Sequence, residues 1–437
     1  MLFVGGIGMS AYFKRMGTRL GALFSGGVLL REQKLFLAAV SLFFAAAGLA
    51  GIFINTYLYS CAYTSGELVS GIKSVAYYNL CLYASMAVFS VVIGITGKAI
   101  SSRVLMVAGL CLYALVFALL LLLGKACINY IWALGFLNGM GTALFQFNYG
   151  DAVTFATSGN NRDYYLSIQG GINALSAVLA PLIAGVLVDL VGGIRGYTVL
   201  FSVVLAVLAA CLVCCLCLTY SDGNRTNTHF GNVFVYSLRD KSMRYASLGE
   251  LVSGFREGVM AFLVPVLLFV LSFSNSIVGL YAFLLGALQL SCSRCAEGRV
   301  NGRNRALVIL LSCLLNAGIG FVFLSGVGYV PIFSYGVVTA CVQSFFAAAT
   351  FFIFYDAAYK IPNSHYKNLE ILTVRELYRN AGRAVGIFAL LLVPQETKYM
   401  VYAIIGLGIS QLIAWGLFAC AGLQLRKKER RTRSKAA

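Results

Sequence analysis

The sequence predicts an all-α polytopic membrane protein of twelve transmembrane helices, arranged as two six-helix bundles. Three observations carry that prediction. Of 437 residues 60% are hydrophobic and only 11% charged, whereas a soluble domain carries about 25% charged residues. Apolar runs of about twenty residues recur along the chain, the length that crosses a hydrocarbon core of about 30 Å. One polar stretch, residues 221–246, divides those runs into six and six.

The first element is a basic N-terminal segment, residues 1–34, with Lys14, Arg15, Arg19, Arg31 and Lys34. Its short apolar run, Leu2 to Met9, precedes the basic residues, the reverse of a signal peptide. The segment reads as a leader that orients the chain, or over 11–30 as a basic amphipathic helix on the membrane surface. Spans follow at 35–59, 74–97, 104–123, 130–157, 164–188 and 197–220, forming an N-terminal bundle over 35–220. The linker 221–246 holds Asp222, Arg225, Arg239, Asp240, Lys241 and Arg244. A C-terminal bundle over 247–425 holds spans at 247–273, 276–292, 306–325, 329–355, 369–393 and 399–424, and a basic tail covers 426–437. Counts of eleven or thirteen spans stay open on hydropathy alone.

Charge supports the even count. Lys+Arg number 33 against 15 Asp+Glu, a net of +18. In a soluble protein that excess points to nucleic acid. Here the basic residues cluster in the leader, the tail and the 294–305 loop, so they orient the chain and nucleic acid is not an expected partner. Both termini are expected in the cytoplasm of a multi-pass cell-membrane protein, their basic residues facing anionic lipid headgroups.

No catalytic, cofactor or metal site is expected. The thirteen cysteines lie mostly inside apolar runs, and the two histidines, His229 and His365, lie in loops. They make neither a disulfide framework nor a ligand set. No phosphate-binding loop is present, and nothing supplies the nucleophile–base pair that a membrane-embedded enzyme needs.

The informative residues are charges within spans, each costing about 2.5–3.5 kcal/mol at a helix centre unless paired or hydrated. Span 7 carries Glu250, Arg256 and Glu257; span 11 carries Arg375, Glu376, Arg379 and Arg383. Arg256 and Arg383 are candidate clamps for an anionic group, since a guanidinium stays charged and grips carboxylate or phosphate with two donors. Glu257 or Glu376 is the candidate proton-carrying group. Structural bridges, Glu257 to Arg383 and Glu376 to Arg379, are the competing reading. Asn55 and Asn148, with Gln146, are candidate neutral donors to a substrate, and Tyr77, Tyr78 and Tyr83 either line the path or pack. Asp151 and Asp356 occupy corresponding places near the inner ends of spans 4 and 10 and read, with Arg379, as gating residues.

Three stretches resemble a bacterial branch of the major facilitator superfamily: Phe53-Ile54-Asn55-Thr56-Tyr57-Leu58-Tyr59, Asn161-Arg162-Asp163, and Arg375-Glu376 with Asn380-Ala381-Gly382-Arg383. The resemblance runs from about Leu35 to Leu425. Ala180-Pro181-Leu182-Ile183-Ala184-Gly185 is similar to the antiporter motif of that family, with alanine at two glycine positions. Gly139-Met140-Gly141-Thr142-Ala143 resembles its glycine-rich stretch, but Gly135 stands where an arginine is usual, and Lys98 replaces a common acidic residue after span 2. These departures weigh against drug–proton antiport. The resemblance implies a monomeric secondary active transporter that moves a small solute by alternating access, with a proton as candidate coupling ion. The buried arginines favour an organic anion. Multidrug or lipid-linked export is the alternative within transport, and a transporter-like receptor or sensor, or a membrane-embedded enzyme, the alternative outside it.

Overall fold

The computed structural model describes residues 29–63, 68–156, 162–219, 229–302, 304–362, 364, 367–393 and 397–436. The side chains of Asp151 and Asp163, most of the N-terminal leader, the first part of the linker and the end of the basic tail lie outside the description. Among the described residues there is no strand. The α-helices are α1 (Arg31–Ala62), α2 (Leu68–Thr96), α3 (Ser102–Leu123), α4 (Ile131–Ala156), α5 (Arg162–Val191), α6 (Gly193–Leu216), α7 (Phe230–Arg239), α8 (Lys241–Ser272), α9 (Asn275–Ala296), α10 (Arg305–Gly320), α11 (Tyr329–Ala358), α12 (Asn368–Leu392) and α13 (Thr397–Ala436).

Ten apolar stretches are long enough to cross a membrane. One of them, Ser102–Gly150, covers both α3 and α4. Helix α12 falls outside the ten because every window long enough to span includes too many of its charges, Arg375, Glu376, Arg379 and Arg383. Among the described residues, twelve long helices therefore accompany the short α7, as the spacing of apolar runs predicts.

Helix α8 reaches back to Lys241 because Asp240 caps it, accepting from Ser242 N at 3.0 Å and Met243 N at 3.1 Å. Helix α7 is amphipathic and buries Phe230, Val233 and Ser237 on one face. Phe230 packs where Gly94 of α2 leaves room, and the Ser237 and Tyr378 hydroxyls lie 3.2 Å apart. The linker helix thus touches both halves, and its end of the bundle is here the linker end.

Helices α1–α6 pack mainly on one another, as do α8–α13, and the two sets meet along α2–α12, α5–α9 and α1–α8. The first set has an aromatic core in which Phe43 stacks on Phe145 with centroids 3.8 Å apart. Between the sets, about halfway along the helices, lies the site.

Candidate functional site

Helices α8 and α12 come into backbone contact because each carries glycines four residues apart: Gly254 and Gly258 on α8, Gly382 and Gly386 on α12. A Cβ on Gly382 would collide with the Leu251 carbonyl, and one on Gly258 would lie 2.7 Å from Arg383 Cα. Small residues at this spacing let two helix backbones approach in a membrane, where packing rather than water exclusion drives association.

That approach assembles a charge cluster near mid-helix. Glu257 receives Arg379 Nε at 3.0 Å and Arg379 Nη2 at 2.8 Å, one on each carboxylate oxygen. It also receives Arg383 Nη2 at 3.1 Å and Gln343 Nε2 at 3.1 Å. Nearer the linker end Arg375 Nε donates to Glu250 at 2.9 Å, and Arg379 Nε stands 3.9 Å from the same carboxylate. The Arg375 guanidinium lies 5.3 Å from the Phe351 ring centre, which shields it from lipid. Glu376 makes no ion pair among the described residues and accepts only from Asn380 Nδ2, at 3.4 Å. Over Arg256, Arg375, Arg379 and Arg383 against Glu250, Glu257 and Glu376, one positive charge is in excess.

Arg383 carries this cluster to open space. It lines a cavity of about 340 Å³ whose other polar walls include Asn55, Asn79, Asn138, Thr142 and Gln146. Asn79 Nδ2 donates to Asn55 Oδ1 at 2.8 Å, Asn138 donates to the Tyr78 hydroxyl, and Thr142 Oγ1 donates to Asn138 Oδ1 at 3.1 Å. The Arg383 guanidinium sits 5.2 Å from the Tyr83 ring centre; Nη1 donates to Asn380 Oδ1 at 2.9 Å, and Nε has no partner among the described residues. The arrangement is a fixed cation with spare donors opposite a bank of neutral amides.

The other candidate residues are placed as follows. Arg256, adjacent to Glu257 in sequence, points a different way round α8 and does not meet Arg383. It is 3% exposed, its Nη2 donates to Asn316 Oδ1 at 2.6 Å, and its Nε has no partner among the described residues. Asn148 is fully buried away from the cavity; its Nδ2 returns to the Leu144 carbonyl and its Oδ1 is unpaired. Asp356 pairs with Arg305 of the neighbouring α10, within one half. Asp151 lies outside the described side chains. Arg379 sits in the central cluster rather than at a helix end.

Contacts that join the halves occur at both ends. At the far end Asp189 of α5 accepts from Ser274 Oγ at 2.6 Å, Asn275 N at 2.9 Å and Ser276 N at 2.8 Å, so a carboxylate caps the start of α9. Asn275 Oδ1 also receives Tyr197 OH at 2.7 Å and Thr56 Oγ1 at 3.2 Å. At the linker end Lys98, just past α2, lies 2.7 Å from Glu370 in the first turn of α12, and His229 N donates to the same oxygen at 3.1 Å. Sequence reading noted Lys98 only as a departure. Asp189, Asn79, Asn138 and the glycine seam escaped it, although Gly-x-x-x-Gly on both span 7 and span 11 was a readable signal.

Comparison with known proteins gives a consistent result. The family model described as Major Facilitator Superfamily matches residues 35–392. A Bacillus subtilis (strain 168) protein, "Uncharacterized protein YqgE", is 23% identical over 389 residues, covering 88% of this chain and 89% of that protein. Two solved structures share the fold. A bacterial homologue of the iron transporter ferroportin, in an inward-facing state, superposes with TM-score 0.66 at 14% identity over 91% of this chain and 100% of the other. A D-xylose–proton symporter superposes with TM-score 0.65 at 12% identity, over 87% and 95%.

Proposed function

The chain belongs to the Major Facilitator Superfamily, and we propose that as a secondary transporter it carries a small organic anion by alternating access around the Arg383 cavity. The observation that carries this reading is Arg383 itself. Its guanidinium faces the cavity with donors to spare, and the one carboxylate it touches is shared with Arg379. A neutral solute would leave the excess positive charge of the cluster uncompensated; an anion compensates it. Asn55, Asn79 and Gln146 supply amide groups for the rest of a polar solute.

Rocking of α1–α6 against α8–α13 exposes the cavity to each side in turn. The hydrogen bonds of Asp189 close one end and the Lys98–Glu370 pair ties the other, and each must break in its turn. The basic leader and tail support a cytoplasmic linker end. The anion competes with Glu257 for Arg383. An anion docking on Arg383 replaces its bond to Glu257, and Glu257 keeps its two bonds to Arg379.

A melting-shift panel on the purified chain tests the reading, with anionic metabolites, sugars, amino acids and cationic drugs. A ligand at about a hundred times its Kd stabilises by about 2.7 kcal/mol. The expected result is stabilisation by anions that disappears in Arg383→Ala, a variant in which Glu257 keeps both bonds to Arg379. Stabilisation by lipophilic cations alone, unchanged in Arg383→Ala, overturns it.

A further inference from the structure

A second cavity, about 240 Å³, lies beside the first among α8, α9 and α11. Its character is different. Met260, Val264, Leu285, Tyr335 and Ala340 are among the residues of its largely apolar wall. Two of its polar side chains are already engaged: Gln343 Nε2 donates to Glu257, and Thr339 Oγ1 to Asn316 Oδ1 at 3.4 Å.

The two spaces are neighbours. Ile52 of α1 lines both, and the adjacent α8 residues Met260 and Ala261 face the second and the first respectively. Arg383 packs at Gly258, and the apolar wall extends to Pro265, seven residues on, about 10 Å along α8. A fixed cation therefore stands in one space, and the space across Ile52 holds no charged side chain, its further polar groups being Gln289 and the Tyr281 and Tyr335 hydroxyls. A wholly hydrophilic anion has no use for the second space, and an apolar cation is repelled at Arg383.

We propose that the transported anion is amphiphilic. A carboxylate or phosphate head binds at Arg383 among the amides, and an apolar body passes Ile52 to lie against Met260, Val264, Leu285 and Ala340. The proposal rests on the anion reading above and adds the class of substrate. It also gives Ile52 a role, since that side chain alone belongs to the first half among the residues walling the second space. Rocking of α1 against α8 moves this divider and changes how the body is held.

The test measures binding of acetate, butyrate, hexanoate and octanoate to the full chain in nanodiscs, by melting shift, with octanol as the uncharged control. Burial of each methylene tightens binding about fourfold. Affinity is expected to climb along the series, with octanol not following it. Arg383→Ala weakens every carboxylate. Ala340→Phe, which fills the apolar space, returns octanoate to the affinity of acetate while acetate is unchanged, and Leu285→Gln, which makes the wall polar at nearly constant size, does the same should the phenylalanine fail to fold. Equal affinities along the series, all lost in Arg383→Ala, overturn the amphiphile and leave the anion reading standing. Carboxylate binding indifferent to Arg383→Ala overturns both.

Discussion

A single carboxylate decides the chemistry of the cavity. Glu257 is shared by two guanidiniums, and its bond to Arg383 is the one a bound anion replaces. Glu257→Gln removes that competitor. Anion affinity is then expected to rise roughly tenfold, equivalent to about 1.4 kcal/mol. Arg379 holds Glu257 whether or not an anion is bound, so no change of affinity with pH is expected from Glu257 in either protein. Titration calorimetry at several pH values, with the anion that the melting panel identifies, checks both. Unchanged affinity would remove Glu257 as the competitor for Arg383. Arg256 makes a contrasting case. The same residue type at the same depth is held by an amide, away from the cavity, because one residue along a helix turns a side chain by about 100°.

Among the elements, the α8–α12 crossing sets the distances on which the cluster depends. Gly382 cannot accept a side chain without moving the Leu251 carbonyl, and moving it separates Glu257 from Arg383. Gly382→Ala is therefore expected to lower the Tm and weaken anion binding together. Gly422→Ala in α13 has nothing within 4 Å of the new methyl and gains helix propensity of about 1 kcal/mol, so its Tm should hold or rise. Thermal melts of the two variants side by side decide the point; equal losses would mean that the seam is not special. The short α7 matters differently. Its Phe230 and the preceding His229 amide hold α2 and the start of α12 together at the linker end.

For the whole molecule, alternating access is a balance between two sets of ties. Breaking one set shifts the population toward conformers open at that end, by as much as the lost contacts differ between states. Asp189→Asn removes the charge from the far-end cap, and Glu370→Gln removes the charge opposite Lys98 while keeping an acceptor for His229. Cysteine-accessibility labelling at each end should rise at the far end in the first variant and at the linker end in the second. Both variants opening the same end would overturn the assignment of the two gates.

The sequence alone, through run length and loop charge together, pointed to an all-α chain of twelve spans with a set of charges buried about halfway along two of them. Composition and run length are local properties, and helix length against bilayer thickness converts them directly into spans. It also marked Arg383 and Asn55, because polar residues inside a span are rare. Only the tertiary structure decided that Glu257 serves Arg379 and Arg383 together, that Arg256 and Asn148 stand outside the cavity, and that Asn79, Asn138 and Thr142 face it. The physical reason is that lipid and protein interior are both apolar, so a spanning helix carries little amphipathic signal to show which face turns inward. Helix rotation and crossing, set here by Gly254, Gly258, Gly382 and Gly386, decide which charges meet.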